Sequence, residues 1–166
     1  MTKFFGKLLL TMFNIGKINL FPGTIASGVT SLIYLFLFNI KINYIILLIF
    51  LFIVTLISIM LINILKDEFD EIDSKEIVVD EFIGQSIPLI FFYIILFEAL
   101  SSTQFFFIIM LVSFIGFRFF DILKPFPINY IDKNIKNGLG VVLDDIIAGI
   151  YTAVVLYIFI IIYGNF

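Results

Sequence analysis

Two adjacent carboxylates, Asp144 and Asp145, interrupt a largely apolar stretch from Leu139 to Tyr163, and no other charged residue occurs between Lys136 and the C-terminus. A charged side chain inside a membrane span costs roughly 2.5–3.5 kcal/mol on insertion scales and normally faces a bundle interior or a watery cavity, so two together point to chemistry. On a helix, Gly140, Asp144 and Ala148 form one row, and Asp145, Gly149 and Thr152 or Ala153 form a neighbouring one. Such rows of small residues let other helices approach closely. Adjacent helical residues point about 100° apart, so the two aspartates are expected to have different tasks.

Three further stretches carry compatible residue types. IVVDEFIG, 77–84, places Asp80 and Glu81 at the start of a span, with Gly84 on the face of Asp80 to admit a close neighbour. An acid at a helix start is also favoured by the helix dipole alone. FRFFDILKPFPINYIDKN, 117–134, spaces Arg118, Asp121 and Lys124 at i,i+3 steps before Pro125 and Pro127 end the helix. This is either a structural salt bridge or a site where the carboxylate holds a cation and the bases hold phosphate. Asp132 and Lys133 read as loop solvation. FPGTIASG, 21–28, offers a Pro22-Gly23 turn and Thr24 as N-cap, where free backbone N–H groups either receive phosphate or simply begin the first span. The acidic run KDEFDEIDSKE, 66–76, reads as a solvated linker.

The elements that must position these residues follow from composition. Of 166 residues, 62% are hydrophobic and 14% charged, with mean hydropathy +1.20, far from the roughly 25% charged residues of soluble chains. A single all-α membrane domain over 1–166 is expected, since no linker-like segment divides the chain. A net charge of -3 suggests no nucleic-acid partner. Apolar runs at 25–39, 42–65, 82–100, 105–120 and 139–163 predict a helical bundle with four to five transmembrane helices. The run at 25–39 is short for a crossing and reads as a tilted span or a re-entrant helix. Lys3, Lys7 and LLLTMF predict an uncleaved N-terminal helix lying at the membrane interface.

If all five runs cross, nine of the ten basic residues gather on one side and only Lys41 lies opposite, which makes the basic side cytoplasmic. Every acidic residue except Glu98 falls on that side or on the helix ends bordering it. Carboxylates converging there beside Lys and Arg suit a hard divalent cation such as Mg²⁺ bridging to a phosphate. Cation conduction is the competing function, because intramembrane aspartates also line ion pathways, and a packing subunit is a third. Conduction predicts polar residues continuing to the other face, whereas 150–163 carries only Tyr and Thr as polar side chains. The chain has neither Cys nor His, which excludes thiolate and phosphohistidine intermediates and imidazole bases.

In order and spacing, IVVDEFIG, FRFFDILKPFPINYIDKNIKNGLGVVLDDIIAG and the N-terminal FPGTIAS resemble the phosphatidylglycerophosphatase A family over about residues 14–160. The resemblance implies a compact all-helical, Mg²⁺-dependent lipid phosphatase. Its substrate would be the membrane phospholipid phosphatidylglycerophosphate, cleaved to phosphatidylglycerol and phosphate at the cytoplasmic face of the bacterial plasma membrane. The family's acidic motifs fall on Asp80, Glu81, Asp121, Asp144 and Asp145, as metal ligands or base, with Lys124, Arg118 and Thr24 as phosphate contacts. Where family members often carry a histidine before the first acidic motif, this chain reads IDSKE, and where they carry Ser-Pro before PGT it reads IN. The D-x-D-x-[TV] motif of aspartyl-phosphate enzymes and the aspartate pattern of CDP-alcohol phosphotransferases are both absent.

Overall fold

In a bilayer the backbone polar groups of an apolar run have no partner but one another, so such runs fold as helices. The computed structural model describes residues 2–69, 71–98 and 103–163. It contains α1 (Thr2–Leu10), α2 (Pro22–Asn39), α3 (Tyr44–Leu65), α4 (Val79–Glu98), α5 (Thr103–Leu123), α6 (Ile128–Asn134) and α7 (Gly138–Tyr163), with no strand among the described residues. Five of these, α2 to α5 and α7, are long and apolar enough to cross a membrane. Asp70 and the side chain of Glu98 lie outside the described residues.

The N-terminal helix α1 packs across the end of α3. Gly6 permits this, because a Cβ there would stand 2.7 Å from Leu65 Cδ1, and Leu10 is fully enclosed. Lys3 and Lys7 reach Glu68 at 2.7 and 3.0 Å, so the acidic linker is tied to α1 at its start, although much of the rest is exposed.

The start of α2 differs from the expected Thr24 cap. Pro22 is the first helical residue and Phe21, in the left-handed region with φ 49°, precedes it without a side-chain cap bond. Proline lacks an N–H and has its φ preset, which suits it to the first helical position, and Thr24 therefore falls inside the first turn. The helix then runs beside α4 from end to end. Gly23 abuts Glu81 at one end, and at the other Tyr93 donates to Leu37 O at 3.1 Å and Ile42 O at 2.6 Å. The segment is thus a full-length partner of α4, and is long and apolar enough to cross a membrane.

The centre of the bundle is α4, which packs on α2, α3, α5 and most extensively on α7. Glycines set the α4–α7 crossing. A Cβ on Gly84 would lie 2.6 Å from the Asp145 carbonyl oxygen, and one on Gly149 would overlap the carbonyl oxygen of Gly84. Pro88 sits inside α4 and has no N–H for that same Gly84 carbonyl, four residues earlier. Two glycines and a proline thus bring the α7 backbone against α4 one turn below Asp80.

Helix α7 begins with Asn137 Oδ1 accepting from the N–H groups of Leu139 and Gly140, while Asn63 of α3 accepts from Gly138. Successive long helices reverse direction, so α2, α4 and α7 begin at the end where α3 and α5 finish. The opposite half is filled by Tyr34, Phe38, Leu89, Phe92, Tyr93 and Phe106, with Phe38 and Phe106 stacked at 4.2 Å.

Candidate active site

Asp80 and Glu81 occupy the first turn of α4, and Asp145 enters the second turn of α7 beside them because Gly84 and Gly149 let the helices close. Each of the three carboxylates offers an oxygen within 4.8 Å of the other two. Asp80 is 7% exposed and Asp145 4%. Two oxygens of the group, Glu81 Oε2 and Asp145 Oδ2, are buried with no hydrogen-bond partner. Like charges at this separation repel by roughly 3–4 kcal/mol per pair at an effective dielectric near 20. A divalent hard cation held by these carboxylates would remove that repulsion, so the donor set suits a hard, oxygen-bound cation.

The other two predicted carboxylates flank this trio, each paired with a cation. Asp121 Oδ2 lies 2.7 Å from Arg118 Nη1, the i,i+3 pair read from the sequence. Arg118 also borders the trio: a Cβ on Gly23 would meet Glu81 Oε1 and come within 3.3 Å of Arg118 Nη1. The missing side chain at Gly23 is therefore what lets the first turn of α2, with half-buried Thr24, stand against Glu81 and Arg118. Nothing in the spacing of FPGTIAS shows that contact.

Asp144 points elsewhere, as the 100° turn between neighbouring residues requires. Its Oδ2 accepts from Lys124 Nζ at 2.9 Å. Lys124 does not share a face with Asp121 as the i,i+3 spacing predicts, because α5 stops at Leu123 and Lys124 takes a left-handed φ of 42°. Its ammonium instead bridges Asp144 and Asp132, the latter at 3.2 Å. Partial burial alone would lower this lysine, but its bonds to Asp144 and Asp132 outweigh that and hold it above its ordinary value.

Asp132, read from the sequence as loop solvation, therefore belongs to the site's surroundings. It was missed because α6, only 7 residues long and polar, leaves no apolar signature that would mark it as an ordered element.

Residues 8–160 match the family described as Phosphatidylglycerophosphatase A. The chain belongs to that family. Phosphatidylglycerophosphatase A of Haemophilus influenzae (strain ATCC 51907 / DSM 11121 / KW20 / Rd) is 37% identical over 153 residues, covering 90% of this chain and 85% of that relative. The Escherichia coli (strain K12) protein of the same name is 38% identical over 85 residues, covering 51% of this chain and 44% of its own length. A Bacteroides thetaiotaomicron relative with the provisional name phosphatidylinositol-3-phosphatase is 33% identical over 84 residues, 51% of this chain and 47% of that one. No solved structure matches the chain. As a phosphatidylglycerophosphatase A family member, the protein is a phosphatase, and all its mapped motif residues lie within the matched region.

Proposed function

We propose that this protein hydrolyses phosphatidylglycerophosphate to phosphatidylglycerol and inorganic phosphate, with Mg²⁺ held by Asp80, Glu81 and Asp145 at the cytoplasmic boundary of the membrane. The observation that carries the reading is the three-carboxylate group with its two unpartnered buried oxygens, in a chain of this family. Bound there, the ion supplies positive charge to the phosphoryl oxygens and lowers the pKa of a coordinated water.

The remaining tasks fall to the chain. Arg118, steadied by Asp121, and Lys124, steadied by Asp144, offer charged donors to the terminal phosphate. Gly23 and Thr24, in the first turn of α2, add backbone N–H groups that the helix leaves free. Water attacks phosphorus opposite the glycerol oxygen, a carboxylate of this set takes its proton, and as the phosphorus–oxygen bond to glycerol breaks the departing oxygen takes up a proton to leave as the glycerol hydroxyl. The diacyl chains stay in the bilayer throughout.

Nine of the ten basic residues lie at the end of the bundle where these groups gather, which supports a cytoplasmic location. The packed aromatic and aliphatic half at the other end supports a site open on one side rather than a cation pathway. The test is phosphate release from phosphatidylglycerophosphate in mixed micelles. Wild type should require Mg²⁺, and Asp80→Asn and Asp145→Asn should each lose at least about a hundredfold, as expected when a charge-stabilising group is removed. Release without added metal, or folded variants of undiminished rate, would sink the assignment.

A further inference from the structure

We propose that Asp132 is a positioning residue, which holds Lys124 so that the lysine's third N–H faces the phosphate. The inference rests on the reading of Lys124 as a phosphate contact. An ammonium has three donors on a flexible four-carbon stem and lacks the planar, fixed geometry of a guanidinium. One carboxylate fixes only one donor and leaves the group free to turn about that bond. Asp144 at 2.9 Å and Asp132 at 3.2 Å take two donors from different elements, which fixes the direction of the third. The Lys124 side chain is 28% exposed, so that third donor is not walled off.

The segment carrying Asp132 is built as an anchor. Ile128 and Ile131 of α6 are buried, and Tyr151 of α7 donates to Phe126 O at 2.9 Å. Asp132 follows buried Ile131 directly and so has a fixed place relative to α7, which also carries Asp144. Its contact with Lys124 spans the turn at Pro125 and Pro127, so α6, packed on α7, acts as a strap tying that turn to α7. Asp73 of the acidic linker also lies near enough to influence the same charges, but it makes no direct bond to Lys124 among the described residues.

The variants that separate geometry from charge are Asp132→Ala and Asp132→Asn. The asparagine oxygen still accepts the lysine's hydrogen bond, whereas alanine cannot. Phosphate release with Mg²⁺ and calorimetric titration of the purified protein with inorganic phosphate are both measured. Asp132→Ala should raise KM and weaken phosphate binding by about tenfold, the scale of a lost charge-assisted hydrogen bond, with kcat falling less than about threefold. Asp132→Asn should remain within about threefold of wild type on every measure. The Mg²⁺ concentration for half-maximal rate should stay at the wild-type value in both, whereas general loosening of the bundle would move it.

If Asp132→Ala does not fold, Asp132→Leu, similar in shape and without an acceptor, replaces it. Wild-type KM and phosphate affinity in the folded alanine or leucine variant would overturn the inference, as would an asparagine variant as impaired as the alanine one. Absence of turnover in wild type, together with phosphate binding that Asp132→Ala weakens and Asp132→Asn keeps, would overturn the enzyme reading and leave the strap standing.

Discussion

Asp144 and Asp145 show how far residue-level reasoning reaches. Their presence in an apolar run marked them, and their 100° separation led us to expect different tasks; in the structure they have different partners, Asp145 joining Asp80 and Glu81 while Asp144 holds Lys124. Asparagine at each position should therefore have different kinetic consequences. Asp145→Asn should raise the Mg²⁺ concentration giving half-maximal rate by at least about tenfold, whereas Asp144→Asn, which still accepts from Lys124, should stay within about threefold of wild type and Asp144→Ala should raise KM for the lipid, both with little change in metal requirement. Initial rates over a grid of metal and substrate concentrations check this, and identical profiles would refute the division. Asp132 was not legible in the same way, because an aspartate in a polar segment next to Lys133 looks like any solvated charge. Only the fold shows that it meets a lysine eight residues earlier.

At the level of elements, hydropathy located the spans because each needs a long apolar run, but it trimmed their ends. The apolar run beginning at 82 understates α4, which starts at Val79 and includes the charged residues that matter. Likewise α2 starts at Pro22, and α6 left no apolar signature at all. Small residues were legible as sites of close approach, though not which helix would come. Pairing Gly84 with Gly149 explains why alanine is excluded from both: either Cβ would strike a backbone carbonyl oxygen, which no side-chain rotation relieves. Gly84→Ala and Gly149→Ala should each destabilise the bundle by about 1–3 kcal/mol and displace Asp145 from Asp80. Thermal unfolding in detergent together with the metal titration measures both effects. A variant with wild-type unfolding and wild-type metal requirement would show that the crossing is looser than described.

The whole molecule sorts its charges between two ends, and this arrangement was the most legible feature of all, since it needs only the order of spans and the positions of Lys and Arg. Because the chain has no cysteine, single cysteines can report its orientation without background. Lys41→Cys, in the exposed turn between α2 and α3, should react with an impermeant maleimide on intact cells freed of outer barriers. Lys75→Cys, exposed in the loop before α4, should react only after permeabilisation. The reverse pattern would place the acidic end outside.

The shared polarity of α2, α4 and α7 carries one more consequence. Each helix start bears roughly half a positive charge, and the first turns of α2 and α4 set two of them directly against the carboxylate site. A terminal phosphate monoester with two negative charges responds to their field roughly twice as strongly as a phosphodiester with one. On the proposed function, such a field favours a monoester lipid over the diester phospholipids around it, and the hold weakens once the terminal phosphate is gone.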